Sequence, residues 1–337
     1  MTNPRSASIM KILILSHDEV VKLLPMKDCI VVMREALIAL AAGQAHQPLR
    51  TIIRPPGASG LMGLMPSYMS GDRPAYGLKA ICAFPGNPAQ GKDAHQGAVL
   101  LFSAESGELQ AMMNASAITA IRTAAVSGVA TDLLARKDAC NLAIIGTGVQ
   151  ARSHLDSMAQ VRLIKRCRIA SRHLEHAEKF ADEMSGSFSF PLEPVATVAA
   201  ALEGADLIVT ATTATEPIVK REWISQGAHL NLVGASTPNA REVDTATMAA
   251  SSLFVDRRES TINEAGDYLF AAREGAVAPE QLTELGEVLK GDRPGRTSAD
   301  EITLFKSLGL AIEDLAAAEY LYRSAKELDA GTWVEYS

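Results

Sequence analysis

The hydrophobic pattern of the chain begins with two elements of an α/β protein. KILIL at 11–15 predicts a strand, and the run from Ser16 to Glu19 is typical of a capping box that opens a short helix. Pro25 ends that helix. DCIVVMREALIALAAG at 28–43 has helical periodicity and predicts a longer amphipathic helix, with Gly43 as its C-terminal stop.

Residues 44–113 have a different pattern, in which alternating or continuous apolar runs are separated by turns rich in glycine and proline. This pattern predicts an antiparallel sheet. AVLLFSAESGELQAMM at 98–113 predicts a hairpin with ESG at its tip. SAITAIRTAAVSGVATDLLA at 116–135 then predicts a helix.

From residue 141 short apolar strands alternate with helical patterns, which predicts a parallel, doubly wound sheet. The predicted strands are NLAII at 141–145, CRIAS at 167–171, DLIVTATT at 206–213, HLNLVGAS at 229–236 and SLFVD at 252–256. The fold class is therefore α/β, with a Rossmann-type doubly wound sheet and a second, α+β domain that contains the antiparallel sheet.

The first of these strands runs into the motif Gly146-x-Gly148-x-x-Ala151. Gly146 permits a tight turn, Gly148 lets the backbone approach a pyrophosphate, and Ala151 lets the next helix pack closely. Phosphates would then lie at the helix N-terminus. Glycines after an apolar strand also make ordinary turns, so the surrounding strand–helix units are what favour a dinucleotide site here.

The second strand ends in Ser171, Arg172 and His173, where an NAD-type site would carry Asp or Glu to bind the ribose 2′-hydroxyl. A hydroxyl and a guanidinium instead suit a 2′-phosphate, because arginine forms forked, charge-assisted bonds to phosphate oxygens. We therefore expect NADPH as cofactor, with NADH bound more weakly. The alternative is that Arg172 is only a solvated residue at a helix start.

Composition narrows the class of protein further. The chain has 337 residues, enough for two domains with sizeable cores, and 47% of them are hydrophobic. Its 32 Lys and Arg against 39 Asp and Glu give a formal net charge of −7. That charge argues against a nucleic-acid or anionic-membrane surface as partner, although local basic pockets remain compatible with it.

The four cysteines are isolated from one another, and we expect them to be reduced thiols buried as small apolar side chains. Residues 1–9 contain no long apolar core, and no window approaches an uninterrupted membrane span. We expect a cytoplasmic protein without a membrane partner. No metal site is expected either.

Three basic residues lie among apolar neighbours before the glycine motif: Arg50 and Lys79 on predicted strands, and Arg122 on the predicted helix. A charge at such a position is either solvated at an edge or paired with an anion. For any one of them the surface interpretation is favoured. Together they indicate binding of an acidic substrate's carboxylate.

The sequence resembles the ornithine cyclodeaminase/μ-crystallin family of nicotinamide-dependent enzymes, most of all its μ-crystallin (ketimine reductase) branch. The resemblance begins at Met10 and covers nearly the whole chain. It is carried by QPLRTI (47–52), MPSY (65–68), KDAHQGAVLLF (92–102), ITAIRTAAVS (118–127), IIGTGVQARSH (144–154), ATEPI (214–218), GAHLNLVGAS (227–236), EAGD (264–267), ELGEVLKG (284–291) and TLFKSLGLAIEDLAAA (303–318).

For architecture, the resemblance implies a substrate-binding and dimerisation domain (1–122 and 308–337) and an NAD(P)-binding Rossmann domain (123–307). The helical pattern SLGLAIEDLAAAEYLYRSAKEL after Lys306 agrees with a C-terminal helix that returns to the first domain. In the family the N-terminal sheets of two subunits join, so the resemblance implies a homodimer.

For chemistry, the resemblance places Arg50, Lys79 and Arg122 around the substrate carboxylate. Lys79 is the candidate proton donor, and we expect two neighbouring guanidinium groups to lower its pKa towards the working pH. Cyclodeaminase-type members have an aspartate where this chain has Ser236. Cyclodeamination needs a carboxylate to hold a cationic amine, and a serine hydroxyl is not basic enough to replace it.

The predicted activity is therefore NADPH-dependent reduction of a cyclic ketimine carboxylate, Δ1-pyrroline-2-carboxylate or Δ1-piperideine-2-carboxylate, to L-proline or L-pipecolate. The alternatives are ornithine cyclodeaminase or alanine dehydrogenase-type chemistry, or a crystallin-like protein that only binds a small ligand. The catalytic candidates are Lys79, Arg50, Arg122 and Ser236, and the substrate-binding candidates add Met65 and Asp267. The cofactor-binding candidates are His95, Arg122, Gly146, Thr147, Gly148, Val149, Gln150, Ser171, Arg172, His173, Thr210, Thr212 and Gly234.

Overall fold

The computed structural model describes residues 10–336, which fall into two compact units. The first unit contains three segments: the residues up to Pro25, Gly43–Thr119 and the residues from Ala311. The second unit contains Met26–Ala42 and Ala120–Leu310. The predicted boundaries at 122 and 308 are therefore each displaced by a few residues. The helix after Pro25, which the resemblance includes in the substrate-binding domain, lies in the second unit.

The structure has these elements in chain order. The strands are β1 (Lys11–Leu15), β2 (Ala45–His46), β3 (Thr51–Ile53), β4 (Leu61–Met69), β5 (Ala75–Ala83), β6 (His95–Ser103), β7 (Leu109–Asn114), β8 (Asn141–Ile145), β9 (Arg166–Ala170), β10 (Leu192–Pro194), β11 (Leu207–Thr210), β12 (His229–Leu232), β13 (Ser252–Val255), β14 (Leu282–Glu284), β15 (Thr303–Lys306) and β16 (Thr332–Glu335). The α-helices are α1 (His17–Leu23), α2 (Met26–Ala41), α3 (Ala115–Leu134), α4 (Val149–Val161), α5 (Leu174–Met184), α6 (Val198–Leu202), α7 (Thr245–Ala249), α8 (Arg258–Glu264), α9 (Gly266–Arg273), α10 (Leu285–Lys290) and α11 (Ala311–Glu327).

The first unit is built on a sheet in the order β16-β1-β7-β6-β5-β4-β2, with β3 also paired to β4. The strands from β2 to β7 pair antiparallel, as the turn pattern predicts, and β1 joins them parallel to β7. Helix α11 packs on this sheet and approaches it closely, because a Cβ added at Gly77 would lie 3.0 Å from Leu315 Cδ1. The C-terminal helix is thus part of this unit's core.

Two local predictions in the first unit are confirmed. The Ser16 hydroxyl accepts from the Glu19 amide, and the Glu19 carboxylate accepts from the Ser16 amide, so the capping box at α1 is complete. Strands β6 and β7 form the predicted hairpin, with Gly107 in the left-handed conformation at its tip.

The second unit contains a parallel sheet in the order β10-β9-β8-β11-β12-β15-β13-β14. From β8 the chain moves outward to β9 and β10, and then returns to the other side of β8 to form β11. The strand order therefore reverses between β8 and β11, and in such sheets a ligand binds at the carboxyl ends of the strands beside the reversal. This is the Rossmann-type sheet that the sequence predicts.

Helix α3 is predominantly apolar, with Arg122 and Asp132 as its charged residues. Among the described residues it is the one helix that is long and apolar enough by composition to cross a membrane, with 78% of its best window buried in the structure. The expectation that no uninterrupted apolar span occurs is compatible with this helix, because Arg122 and Asp132 interrupt it. Such burial is typical of a core helix.

The cysteine prediction holds in part. All four cysteines are free thiols, as expected, but only Cys29 and Cys167 are buried, whereas Cys82 and Cys140 are half-buried. Burial raises the pKa of the Cys167 thiol far above its ordinary value, with Glu193 adding to the effect. Cys167 is therefore an unreactive core residue.

Candidate active site

A cavity of about 490 Å³ opens at the carboxyl ends of β8, β9 and β11, beside the reversal of strand order. It is lined by Ile145, Gly146, Thr147, Gly148, Ser171, Arg172, His173, His176, Val198, Ala211, Thr212, Thr213, Ala214 and Ile218. Seven of the predicted cofactor residues are thus brought together from three separate strand ends. The structure places them where a doubly wound sheet binds a dinucleotide.

The two glycines of the motif have different roles at this cavity. Gly146 has φ +113°, and a Cβ there would collide with the Ala211 carbonyl, so the turn requires glycine. A Cβ at Gly148 would meet nothing within 4 Å, which leaves open space above the N-terminus of α4. Gly148 is the N-cap of that helix and supplies no side-chain hydrogen bond. The first backbone amides of α4 therefore have no side-chain cap. This end suits a pyrophosphate.

The ribose end of the cavity has the composition that the sequence predicts. Ser171 is half-buried, whereas Arg172 and His173 are exposed. No Asp or Glu occurs among the described lining residues. His176 also lines the cavity, in addition to the residues predicted from the sequence.

Four other predicted cofactor residues, Val149, Gln150, Thr210 and Gly234, are not among the described lining residues of this cavity. Val149 and Gln150 form the first turn of α4, and Val149 is exposed. Thr210 is fully buried, and its hydroxyl donates to Glu242. The Gly234 amide also donates to Glu242. Thr210 and Gly234 thus both form hydrogen bonds with the same buried carboxylate.

Glu242 is a fully buried carboxylate that sequence reasoning missed. It accepts from the Thr210 hydroxyl at 2.8 Å, from the Thr212 amide and hydroxyl at 2.8 Å each, and from the Gly234 amide at 2.7 Å. These donors lie at the end of β11 or just after β11 and β12, so one side chain connects the ends of two neighbouring strands. Because Thr212 lines the cavity, Glu242 fixes part of its wall.

A second buried carboxylate supports this loop. Asp267 Oδ1 accepts from the Glu242 amide at 2.7 Å and the Val243 amide at 3.2 Å, and Oδ2 lies 2.9 Å from Lys306 Nζ. Burial raises the pKa of the Glu242 carboxyl, an effect that Lys306 opposes and Asp267 reinforces. Asp267, which the sequence predicts to bind substrate, is 1% exposed, and its carboxylate accepts hydrogen bonds from the backbone amides of Glu242 and Val243.

Arg122 is 3% exposed and lies against the turn that follows β15. Gly309 has φ +79°, and a Cβ there would lie 2.8 Å from Arg122 Nη2 and closer still to Nη1. Asp256 Oδ2 accepts from the Leu308 amide at 2.6 Å and the Gly309 amide at 2.8 Å. The position of the guanidinium therefore depends on a glycine turn that a buried carboxylate holds.

Lys79 is also 3% exposed, within the first unit. Its Nζ lies 2.7 Å from Asp314 Oδ2, in the first turn of α11, and 3.5 Å from the Thr119 hydroxyl. A carboxylate at this distance favours the charged ammonium. The expectation that two neighbouring guanidinium groups lower the pKa of Lys79 took no account of Asp314, which sequence reasoning missed.

The remaining candidates of the first unit lie on its sheet. Arg50 is half-buried and precedes β3 by one residue, so its assignment to a strand is wrong. Met65 is buried on β4 and is paired in register with Lys79. His95 is exposed and begins β6.

Ser236 lies in the second unit, in the loop after β12, and it is exposed. The amide of its neighbour Ala235 donates to Glu242 at 3.3 Å. Ser236 is therefore presented to solvent by the same loop that Glu242 holds. Among the described residues, no group of three or more His, Cys, Asp or Glu side chains could hold a metal ion.

The fold and this cavity define a nicotinamide-dinucleotide-binding α/β protein. The family model "Ornithine cyclodeaminase/mu-crystallin family" matches residues 10–329, and the chain belongs to that family. It is an oxidoreductase, and its relatives of 41% and 36% identity are named ketimine reductase and Delta(1)-pyrroline-2-carboxylate reductase.

The chain is 41% identical to "Ketimine reductase mu-crystallin" of Mus musculus over 84% of this chain and 86% of the mouse protein. The structure of Thermococcus litoralis Delta(1)-pyrroline-2-carboxylate reductase, in complex with NADH and L-proline, is 40% identical. It superposes with a TM-score of 0.92 over 95% of this chain and 99% of that chain. An archaeal alanine dehydrogenase dimer with bound NAD is 31% identical, with a TM-score of 0.91 over 97% of this chain and all of that one, 100%.

Proposed function

We propose that the chain reduces a cyclic ketimine that carries an adjacent carboxylate, with a nicotinamide nucleotide as the hydride donor. The substrates proposed are Δ1-pyrroline-2-carboxylate and Δ1-piperideine-2-carboxylate, and the products are L-proline and L-pipecolate. The observation that carries the proposal is the similarity to the Thermococcus litoralis reductase, whose structure contains NADH and L-proline.

The proposal assigns the cavity beside β8 and β11 to the dinucleotide. The uncapped N-terminus of α4 would bind the pyrophosphate, and the residues after β9 would bind the adenosine ribose. When bound, the nicotinamide supplies a hydride to the imine carbon. The chain's own part is to bind and orient the substrate and to supply a proton to the imine nitrogen.

Arg50 and Arg122 are assigned to the substrate carboxylate. A guanidinium binds a carboxylate through two parallel hydrogen bonds, which fixes both the position and the orientation of the ring that bears it. Fixing the imine carbon in this way makes hydride transfer effectively unimolecular. The burial of Arg122 against Gly309 supports this role, because a fixed guanidinium loses little freedom on binding.

Lys79 is assigned to the proton. An imine accepts hydride readily only when its nitrogen is protonated or strongly hydrogen-bonded, and an ammonium can do either. Asp314, 2.7 Å from Nζ, favours the charged form of Lys79. With the hydride from the cofactor and one proton from the enzyme, the C=N bond becomes CH–NH and the cofactor is oxidised.

Among related reactions, Ser236 argues against ornithine cyclodeamination, because an exposed hydroxyl cannot hold the side-chain ammonium or move its proton. The alanine dehydrogenase neighbour shows that the scaffold also accommodates an amino-acid dehydrogenase, which uses an open-chain substrate. The proposal therefore includes selectivity for cyclic over open-chain imines.

We further propose NADPH as the preferred cofactor. Ser171, Arg172 and His173 in the cavity wall, without a carboxylate, support it. The neighbours with NADH and NAD bound favour dual use rather than strict NADPH dependence. A homodimer is also proposed, supported by the dimeric alanine dehydrogenase neighbour. The cytoplasmic location stays a prediction.

The experiment is a substrate and cofactor panel. Cyclic imino acids, pyruvate with ammonia, and L-ornithine are each assayed with NADPH and NADH or their oxidised forms. We expect turnover to be fastest on a cyclic imine with NADPH, and Arg172→Asp to reverse the cofactor order. The reversal should be about tenfold or more, the value of one charge-assisted contact. Faster turnover of pyruvate with ammonia would replace this proposal with the dehydrogenase.

A further inference from the structure

The two oxygens of the buried Glu242 carboxylate bind different parts of the sheet edge. Oε1 accepts from the amide and the hydroxyl of Thr212, in the loop after β11. Oε2 accepts from the Thr210 hydroxyl at the end of β11 and from the Gly234 and Ala235 amides after β12. Only an ionised carboxylate can accept all of these bonds, because protonation or amidation replaces an acceptor site with a donor.

The two loops that share this carboxylate are packed against each other. A Cβ added at Gly234 would collide with the backbone of Thr212 and would lie 2.5 Å from Glu242 Oε1. Thr212 lines the cavity, and Ser236 is exposed two residues beyond Gly234. Glu242 therefore sets the spacing between a wall of the cavity and the loop that carries Ser236.

A second layer of buried groups holds Glu242 itself. Its amide donates to Asp267 Oδ1 at 2.7 Å, and Asp267 Oδ2 lies 2.9 Å from Lys306 Nζ at the end of β15. Asp267 and Lys306 are each 1% exposed. A Cβ at Gly266 would collide with the Ala240 carbonyl, so the backbone before Asp267 also contacts this loop. Glu242 is thus fixed through both its side chain and its backbone, as accurate positioning requires.

We propose that Glu242 is the positioning residue for the nicotinamide half of the cofactor, and that Asp267 and Lys306 act through it. The inference rests on the proposed function, which assigns the cavity to a nicotinamide dinucleotide. A dinucleotide in a doubly wound sheet lies across the reversal of strand order, with one nucleotide on each side. The residues after β9 are assigned to the adenosine, which leaves the ends of β11 and β12 for the nicotinamide half.

This role differs from a general contribution to stability in the part of the cofactor that it affects. Displaced loops after β11 and β12 weaken binding of the nicotinamide half and leave the adenosine half unchanged. Lost stability alone does not change the relative affinity for the two halves. Asp206 provides the matched control, because it lies at the opposite end of β11, where its carboxylate accepts from the Cys140 and Asn141 amides at the start of β8.

The experiment compares two ligands of the full chain by calorimetry: NADPH, and 2′-phospho-ADP-ribose, which lacks only the nicotinamide. Glu242→Gln should raise the dissociation constant of NADPH about tenfold, the value of one lost hydrogen bond to a charged group, and that of the fragment less than about twofold. Thr210→Val removes one donor to the carboxylate and should give the same selectivity at about threefold. Asp206→Asn should lower the urea midpoint and leave the ratio of the two dissociation constants unchanged. The pair NADH and ADP-ribose gives the same comparison if the protein prefers NADH.

Equal rises for NADPH and the fragment, or no rise for either, overturn the inference. The same selective rise in Asp206→Asn also overturns it, because a loss of stability would then be sufficient. If Glu242→Gln does not fold, Thr210→Val decides by the same criteria. If the unmodified protein binds neither ligand, the dinucleotide site and the proposed function fail together with the inference. Imine turnover of the unmodified protein is assayed separately, so normal turnover with equal rises contradicts this inference alone.

Discussion

Lys79 Nζ lies 2.7 Å from Asp314 Oδ2, and the two side chains are 3% and 1% exposed. The strand β5 supplies the lysine and the first turn of α11 supplies the carboxylate. Burying two charges is costly, and their attraction compensates only if both stay in place. The C-terminal helix is thus coupled to the candidate proton donor by one buried ion pair.

The first prediction is that Asp314→Asn destabilises the protein and impairs imine reduction. Removal of one partner of a buried ion pair costs about 3–5 kcal/mol of unfolding free energy. A displaced Lys79 should lower kcat by roughly 100-fold, the cost of about 1 Å of misplacement at a reacting centre. Urea unfolding and steady-state kinetics measure the two effects.

The controls for this prediction separate charge from packing. Lys79→Met/Asp314→Leu should regain most of the lost stability and remain inactive, because an apolar pair can replace a buried ion pair. Glu319→Gln removes another carboxylate of α11, one that lies 3.6 Å from Arg73 near the surface. Its effect should be below about 1 kcal/mol. An unchanged urea midpoint for Asp314→Asn would contradict the account.

The second prediction concerns Gly309→Ala. Alanine at φ +79° costs roughly 1–2 kcal/mol, and its Cβ would also displace the Arg122 guanidinium. We expect the KM for a carboxylated imine to rise about tenfold, the value of a lost charge-assisted contact. Steady-state kinetics on a cyclic imine measure this.

Gly291→Ala is the matched control for that substitution. Gly291 has φ +82°, and a Cβ there meets nothing within 4 Å. It should therefore lose similar stability while its KM stays unchanged. Equal rises in KM for both variants would show that backbone strain, and not the displacement of Arg122, is responsible.

The third prediction is that L-ornithine is not a substrate. Ser236 supplies no carboxylate, so ammonia release with catalytic NAD(P)+ should be negligible while cyclic imine reduction proceeds. Ser236→Ala should slow reduction only two- to tenfold, since a neutral hydrogen bond is worth about 0.5–1.5 kcal/mol. Ammonia release from ornithine as fast as imine reduction would mean that another residue supplies the base.

Much of the fold was predictable, because it depends on local patterns. The glycines of residues 146–148 follow an apolar strand, and the residues Ser171 to His173 follow the next one, so the ribose end could be located by counting strands. The capping box at Ser16 and the hairpin at Gly107 are likewise encoded within a few residues. In each case the residues that form the feature lie within one short segment of the sequence, so the segment alone predicts both the feature and its place in the fold.

The partners that hold the site could not be located in this way, because each pairs with a distant segment. Asp314 and Lys306 interrupt apolar runs, which is the signal that singled out Arg50 and Lys79, and the same reasoning could have marked them as buried charges. Their partners depend on tertiary packing. The unit that contains α2 is not encoded locally either, since the apolar face of the helix does not specify which unit it packs in.

The fourth prediction is a loss of stability in mild acid. Burial lowers the pKa of His154 to about 4, against an opposing hydrogen bond with the Gln150 carbonyl. Burial, with a smaller contribution from Arg296, lowers the pKa of His229 to about 3. Unfolded histidine titrates near 6.5, so below that pH the unfolded chain binds more protons and the unfolding free energy falls.

The size of this effect at pH 5 is about 2 kcal/mol for each buried histidine. Urea unfolding at pH 7.5 and pH 5 measures this loss of unfolding free energy. Both pH values lie above the range in which most carboxylates titrate. His154→Leu should reduce the difference between the two pH values, and the exposed His46→Gln should not. Equal unfolding free energies at the two pH values would contradict the neutral, buried state of these rings.

The most direct test of the central claim is transfer of label from cofactor to product. Δ1-pyrroline-2-carboxylate is incubated with the protein and NADPH that carries deuterium in the transferable position at C4, and the proline formed is analysed by mass spectrometry and chiral chromatography. We predict L-proline with one deuterium at Cα, formed in equal amount to the NADPH oxidised. No labelled proline, while NADPH still binds, would contradict the reductase and leave a protein that only binds its ligand.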